Sequence, residues 1–389
     1  MQNVIVLPLR GSAVKVWSVV ANEPRFCSRP TAVLQGKPSG KILEVQSQCE
    51  KFDLRNRLHE ALRQNRALMR NDAMQLGRCA IGAAGAFALF ALTCLPQIAE
   101  AGTGRKHAVT WYASWAASPF DARSFPPSII APTIETVSNQ TVRQAVTISR
   151  GGSIVRIRIS NEFGKTDLHI GASSLGFRPA GAAQTTRRAL AFGGLPSMTI
   201  PAGAAIVSDP VSVRVPTGAK LEISIYLPDE TPISTFHLLG LQRSEVSGPG
   251  NFTMADSMPG ATSFDFVEKM SGRHFIARPL LSEVDVADRT PVRTVIAFGD
   301  SITDGMGSTP GTDSRWPDFL ARRIAKAGLP LAVVDAGIGG NQVLANGLGV
   351  GALGRFDRDA LALPGASTVI LMEGINDIGF SGGSVPGRP

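Results

Sequence analysis

Three short apolar segments near the end of the chain constrain the fold most strongly, because each runs directly into a polar or glycine-rich turn. They begin at Thr294, Leu331 and Ser367. Between the first two, residues 314–328 repeat apolar side chains at helical spacing, with Asp313 or Ser314 as a candidate N-cap. Apolar strands that alternate with helices predict a parallel α/β sheet.

The turns after these strands hold the candidate site residues. The carboxyl ends of parallel strands lie side by side and form the crevice in which ligands bind. We therefore expect Ser301, Gly340 and Asn376 to converge. Attack of a serine hydroxyl on an ester places negative charge on the carbonyl oxygen. The N–H groups of Ser301 and Gly340 and the carboxamide of Asn376 could meet that charge, each donor contributing about 2.7–4 kcal/mol.

Three motifs carry a family resemblance. They are "GDSITDG" at 299–305, "DAGIGGN" at 335–341 and "GIND" at 374–377. In this order they resemble the blocks of GDSL esterases of the SGNH hydrolase superfamily over about residues 292–380. The resemblance implies a flavodoxin-like sheet of about five parallel strands in a hydrolase domain at 292–389. It also implies a nucleophile at Ser301, oxyanion donors at Gly340 and Asn376, and supporting carboxylates at Asp300 and Asp377.

One block of the family pattern is missing. Members supply the base from a later Asp-x-x-His, in which the histidine takes the serine proton and the aspartate orients it. The five histidines here all precede Ser301, and none stands in that motif. We therefore expect a C-terminally incomplete hydrolase domain with little or no esterase activity. We also expect the third apolar strand to form an exposed sheet edge.

The middle of the chain, residues 107–288, has a different pattern. Residues 151–164 place Val155, Ile157 and Ile159 in strict alternation with polar side chains, which predicts a half-buried strand. Further strands are predicted at 144–149, 168–177, 197–200, 211–215 and 221–227. Strands at this spacing, separated by Pro and Gly turns, predict an antiparallel sandwich or a jelly roll. This domain could bind a polymer or serve as a structural support.

The beginning of the chain contains a predicted leader. Residues 74–101 read as a signal peptide, with an uncharged run at 79–99 and the small-residue pattern Ala99-Glu100-Ala101 before Gly102. Secretion or a periplasmic location follows, without stable membrane association after cleavage. The alternative is a membrane anchor at 79–99. Residues 1–73 are then interpreted as a disordered or mistranslated extension.

Charge and composition narrow the possible partners. Residues 1–73 carry 12 Lys/Arg against 6 Asp/Glu, and the remainder carries 27 against 25, so a nucleic-acid partner is not expected. All four cysteines precede residue 95, and no metal or organic cofactor is implied.

The expected substrate is a small ester or an acetylated polysaccharide, as the resemblance to two-domain carbohydrate esterases implies. The alternatives are a non-catalytic glycan-binding or vestigial hydrolase fragment and, less favoured, a phosphate or flavin binder.

Overall fold

The computed structural model describes residues 4–8, 15–17, 109–124 and 126–379. The predicted leader at 74–101 and all four cysteines lie outside these residues. All described residues fall within one compact unit. No helix in the described ranges is both long and apolar enough to cross a membrane.

Short strands make up most of the regular secondary structure in the described chain. In chain order they are β1 Val4–Pro8, β2 Lys15–Trp17, β3 Thr110–Ala116, β4 Phe120–Asp121, β5 Ile130–Pro132, β6 Thr136–Val137, β7 Gln140–Thr147, β8 Gly152–Ser160, β9 Leu168–Ile170, β10 Ala172–Phe177, β11 Thr186–Ala189, β12 Met198–Ile200, β13 Ala205–Val207, β14 Val211–Val215, β15 Lys220–Leu227, β16 Thr231–Pro232, β17 Thr235–His237, β18 Ser244–Pro249, β19 Thr262–Ser263, β20 Asp265–Glu268, β21 His274–Ile276, β22 Arg278–Pro279, β23 Leu281–Asp288, β24 Arg293–Gly299, β25 Leu331–Gly337 and β26 Ala366–Met372.

The helices are short and lie mainly near the end of the chain. They are α1 Ser301–Asp304, α2 Trp316–Lys326, α3 Ala352–Phe356 and α4 Ile375–Gly379, with a 3₁₀ turn at Ala122–Ser124 and a π turn at Asp357–Leu361.

Two antiparallel sheets dominate residues 110–288. One has the strand order β11-β10-β15-β7-β18-β19, and the other has β13-β8-β23-β3 with β14 paired to β8. The predicted alternation in β8 is confirmed, because Val155, Ile157 and Ile159 are buried while Arg156 and Arg158 are partly exposed. Apolar side chains of both sheets belong to one buried cluster. The finer assignment to a sandwich or a jelly roll stays a prediction.

The predicted parallel strands are present near the end of the chain. β24 pairs in parallel with β25 on one side and with β26 on the other. Ile324 of α2 packs on one face with Val295 and Val333, and Ala352 of α3 packs with the cluster that contains Phe298. The strand order therefore reverses at β24, which places a crevice at the carboxyl ends of β24 and β26. The five-strand flavodoxin-like arrangement stays a prediction.

The expectation that the third apolar strand forms a sheet edge is wrong. β1 pairs antiparallel with β26, with Val6 opposite Ile370, and β2 pairs with β1 in turn. Backbone groups of β26 are therefore bonded on both sides, which removes the open edge. Two segments of residues 1–73, interpreted from sequence as an extension, thus belong to the same sheet as β24, β25 and β26.

The N-cap of α2 also differs from the sequence expectation. The cap residue is Arg315 instead of Asp313 or Ser314, and its N–H donates to Asp318 Oδ2 at 2.9 Å. Asp313 instead adopts a left-handed backbone with φ +49° and accepts a hydrogen bond from Thr147 Oγ1. The tertiary contact with β7 outweighs the local preference for a capping aspartate.

The strand-rich and parallel-sheet regions are joined through β3. The Ala113 N–H donates to Pro364 O at 2.8 Å, and Thr294 Oγ1 donates to Ala113 O at 3.1 Å. Ala113 and Ala116 also belong to the buried cluster that holds Phe298. The two regions therefore share a core and are not separated by a flexible linker.

Candidate active site

The turn between β24 and α1 places Ser301 at the first position of the helix. A Cβ at Gly299 would overlap Thr303 Oγ1 and the carbonyl of Met372, so the tight turn requires glycine. Asp300 is fully buried and its Oδ1 accepts a hydrogen bond from the Ile302 N–H at 2.9 Å. Asp300 therefore supports the turn that presents the serine.

The loop after β25 positions Gly340. Its φ of +74° lies in the left-handed region, and a Cβ there would overlap Leu348 Cδ1. The amides on both sides are bonded, since the Gly339 N–H donates to Asp304 Oδ2 at 3.0 Å and the Asn341 N–H donates to Ile338 O at 3.1 Å. A residue with a Cβ at this position would therefore strain the backbone and collide with Leu348.

The turn after β26 meets this loop directly. Asn376 Nδ2 donates to Asn341 O at 2.8 Å. Both carboxylate oxygens of Asp377 accept from the Val343 N–H, at 3.1 and 2.9 Å, which ties the turn to the loop after β25. The Asp300 N–H donates to Met372 O at 3.3 Å, which joins the turn after β24 to the end of β26.

The structure therefore brings the turns that carry Ser301, Gly340 and Asn376 into one hydrogen-bonded cluster. The carboxylates of Asp300 and Asp377 each hold one of these turns in place.

Arg355 on α3 connects the same turns from within the protein. Its side chain is completely buried, and its guanidinium carbon lies 4.0 Å from the centre of the Phe298 ring. The guanidinium donates to six acceptors, namely Gly299 O, Ala336 O, Ser118 Oγ, Asn341 Oδ1, Asp359 Oδ2 and Glu373 Oε1, at 2.7 to 3.3 Å. One cation thus holds the ends of all three parallel strands, a role that a five-donor fork can fill.

Glu373 follows β26 and is one of the acceptors of Arg355. Burial raises the pKa of this carboxyl to about 8, although the Arg355 charge opposes the shift, and Asp300 and Asp377 add to it. Its second oxygen has no hydrogen-bond partner among the described residues. The Glu373 side chain is therefore largely protonated at neutral pH.

His237 of β17 reaches the site from the strand-rich region. Its imidazole is buried, with Nε2 2.9 Å from Asp304 Oδ1 and Nδ1 3.0 Å from Ser118 O. The sequence motifs do not predict this contact. No local motif indicates it, because 67 positions separate the two side chains.

The two other described histidines are engaged away from the site. His169 lies within hydrogen-bond distance of Asp229 and Ser197, and His274 lies 3.2 Å from Asp265. His59 and His107 lie outside the described residues. Within the described ranges, no group of three or more His, Cys, Asp or Glu side chains could hold a metal ion.

Comparison with known proteins agrees with this geometry at the level of the family. Residues 297–387 match the GDSL-like Lipase/Acylhydrolase family, so the chain carries a GDSL-like acylhydrolase domain. No curated protein matches the sequence.

Two solved structures are weakly similar to the chain. The first is an active-site mutant of a family two carbohydrate esterase from Clostridium thermocellum, with 11% identity, 65% of this chain covered and a TM-score of 0.19. The second is a carbohydrate esterase family 2 enzyme plus carbohydrate binding domain from Corynascus thermopiles (Myceliophthora fergusii), with 14% identity, 61% covered and a TM-score of 0.14. The chain covers 58% and 51% of these two chains.

Proposed function

We propose that this protein is a serine esterase in which Ser301 attacks the carbonyl carbon of an ester. The observation that supports the proposal is the hydrogen bonding among three strand-end turns, in which Asp304 binds the Gly339 amide and Asn376 binds Asn341 O. These bonds support the proposal, because they join the turn of the proposed nucleophile to the loop of Gly340 and that loop to the turn of Asn376. The family match over residues 297–387 supports ester hydrolysis in general.

In the proposed reaction, Ser301 Oγ forms the new bond to the carbonyl carbon and the carbonyl oxygen becomes an oxyanion. The N–H groups of Ser301 and Gly340 and the second hydrogen of Asn376 Nδ2 donate to it. The first hydrogen of that amide is already used by Asn341 O. The C–O bond to the alcohol then breaks, the alcohol leaves with a proton, and water hydrolyses the acyl-serine.

The proton of Ser301 must pass to a base. The three described histidines are each bonded to other groups, so we expect slow turnover and an acceleration by added imidazole that depends on Ser301. The test measures 4-nitrophenyl acetate hydrolysis over a series of imidazole concentrations, with Ser301→Ala as the decisive variant. Ser308→Ala, in the turn after α1, is the matched control.

We expect Ser301→Ala to lower the rate to that of imidazole alone, and Ser308→Ala to keep the rate of the unsubstituted chain. Equal rates for the unsubstituted chain and Ser301→Ala at every imidazole concentration would contradict the proposal.

For the substrate we infer O-acetyl groups on a carbohydrate, with short-chain acyl esters as the second class. The inference rests on the sequence resemblance to two-domain carbohydrate esterases. Acetate release from acetylated xylan, compared with cleavage of 4-nitrophenyl butyrate, separates the two classes. Retention on xylan without hydrolysis, unchanged by Ser301→Ala, would instead favour the non-catalytic glycan-binding alternative.

We further propose that the enzyme acts outside the cytoplasm, since residues 74–101 have the pattern of a signal peptide. Amino-terminal sequencing of the exported protein tests this proposal. A mature start near Gly102 is expected, and a start well before residue 95 would contradict it. Cleavage there would remove β1 and β2, so the pairing of β1 with β26 belongs to the uncleaved chain.

A further inference from the structure

The contact between His237 and Asp304 is buried on both sides. The His237 side chain is 4% exposed and that of Asp304 is 1% exposed. His237 ends β17 in the strand-rich region, whereas Asp304 ends α1, the helix that begins at Ser301. A buried polar group is costly unless it is hydrogen-bonded, so removal of either partner would leave the other buried without this bond.

Each ring nitrogen of His237 has one partner. The carbonyl of Ser118 can only accept, so Nδ1 donates to it at 3.0 Å. Nε2 lies 2.9 Å from Asp304 Oδ1, and the second Asp304 oxygen accepts from the Gly339 N–H at 3.0 Å. The Asp304 carboxyl group is therefore held between His237 on one side and the Gly339 amide on the other.

A second ion pair lies beside this contact. It joins Arg315 Nη1 to Asp335 Oδ2 at 3.5 Å, and Arg315 also donates to the carbonyls of Leu239 and Gly240, close to His237 in the chain. The segment that follows His237 is thereby also bonded to the parallel-sheet region.

The contact between His237 and Asp304 is connected to the loop that holds the predicted oxyanion donor Gly340. Asp304 lies three positions after Ser301, and its partner Gly339 immediately precedes Gly340. We propose that His237 is a positioning residue: its imidazole, bonded to Ser118 O, fixes the Asp304 carboxyl group, which holds the Gly339 amide and with it the turn at Gly340. The strand-rich region thereby forms part of the site, because both His237 and Ser118 come from it.

The first test concerns the hydrogen bonds of the imidazole and does not require turnover. Nitrogen-15 NMR of the histidine-labelled chain reports the surroundings of each ring nitrogen. We expect Asp304→Asn to shift the Nε2 signal of His237, because this nitrogen loses its carboxyl partner. Asp229→Asn, which removes a partner of His169, should leave the His237 signals unchanged. An unchanged His237 Nε2 signal in Asp304→Asn would overturn the proposal.

The second test concerns the loop. Hydrogen exchange at the Gly339 amide should become about tenfold faster in His237→Gln and in Asp304→Asn, because one buried hydrogen bond is weakened or lost. The amide of Val343, held by Asp377, is the internal control and should keep its rate. An unchanged Gly339 rate, or a uniform acceleration across residues 293–379, would overturn the positioning role. If His237→Gln does not fold, Asp304→Asn carries the test.

A third readout rests on the proposed esterase function. Where Ser301-dependent hydrolysis is measured, His237→Gln should lower kcat and leave KM unchanged, because the oxyanion loop acts in the transition state. Absence of any Ser301-dependent rate would contradict the esterase proposal alone, since the NMR and exchange experiments decide the role of His237 independently.

Discussion

The core shared by the two antiparallel sheets and the carboxyl end of the parallel sheet bury different kinds of side chain. The first is aliphatic and aromatic, with Val146, Ile157 and Ile225 completely buried, although the strand-rich region also buries Arg143 and Arg278 outside this cluster. The second buries charges, and Arg355 lies among the strand ends with no exposed surface. Apolar burial is non-directional and scales with area. Charged hydrogen bonds depend on direction and distance, so they can hold the turns of a site in one geometry.

This difference predicts how each region responds to substitution. A change of size in the apolar core costs in proportion to the buried atoms that it removes. Removal of one charge at the strand ends leaves its partners buried and unpaired, which costs more than the contact itself contributes.

The largest effect is expected for Arg355→Met, which keeps much of the side-chain length and removes the charge. Six acceptors lose this donor, although Asp359 keeps Arg358 and Gly299 O keeps the Ile338 N–H, and Glu373 loses its buried cation. The free energy of unfolding should fall by about 3–5 kcal/mol. Urea unfolding measures the change, and Arg323→Ala on the exposed side of α2 is the control. A decrease in the free energy of unfolding below about 1 kcal/mol would contradict the expectation that buried charges at the strand ends are more sensitive to substitution than the apolar core.

The second prediction concerns pH. The folded state keeps the Glu373 proton up to about pH 8, whereas the unfolded chain releases it near the ordinary value for glutamate. The unfolded state therefore binds fewer protons between about pH 5 and 8. The contribution of Glu373 to the free energy of unfolding falls as pH rises through this window, by up to about 1.4 kcal/mol per pH unit.

Glu373→Gln should remove this contribution and flatten the pH dependence. Part of the pH dependence of the free energy of unfolding should remain, because burial also raises the pKa of Asp335, to about 7, although Arg315 opposes this shift. Urea unfolding at pH 5, 6, 7 and 8 measures the effect, with the exposed Glu230→Gln as the control. A slope identical to that of the unsubstituted chain would show that Glu373 is not protonated in the folded state.

The third prediction separates backbone strain from packing at the predicted oxyanion glycine. Gly340→Ala should cost about 1–3 kcal/mol, because a side chain must adopt φ +74° and also meet Leu348. Gly307→Ala has a similar φ of +85° with nothing near the added carbon, so it should cost only about 1 kcal/mol. Urea unfolding of both variants, and of Gly340→Ala combined with Leu348→Ala, measures the two parts. Equal costs for the two single variants would contradict the packing contribution.

The smallest effect tests whether apolar burial is equivalent in the two regions. Ile157 lies in β8 and Ile296 in β24, and both are completely buried. Ile→Val at either position should lower the free energy of unfolding by about 0.5–1.5 kcal/mol. Similar losses at the two positions would indicate that the two regions differ in their buried charges and not in their apolar packing. A much larger loss at Ile296 would indicate that they differ in packing.

Much of the local structure could be predicted from the sequence. The alternation in β8, the strand at 211–215 and the parallel strands that begin near 294, 331 and 367 all appear in the structure. A single Gly171 between two apolar runs splits the predicted strand at 168–177 into β9 and β10. The candidate site residues follow from the same local patterns, because each lies within a few positions of a strand end.

The sequence by itself determined the strands of the sheet, the turns that follow them and the candidate residues Ser301, Gly340 and Asn376, because periodicity and turn chemistry act over a few neighbouring residues. Only the tertiary structure decided that β1 covers β26, that Arg355 joins three strand ends, and that His237 binds Asp304. These contacts join residues far apart in the chain. They depend on how the elements pack, and a single sequence contains no local pattern that specifies such partners.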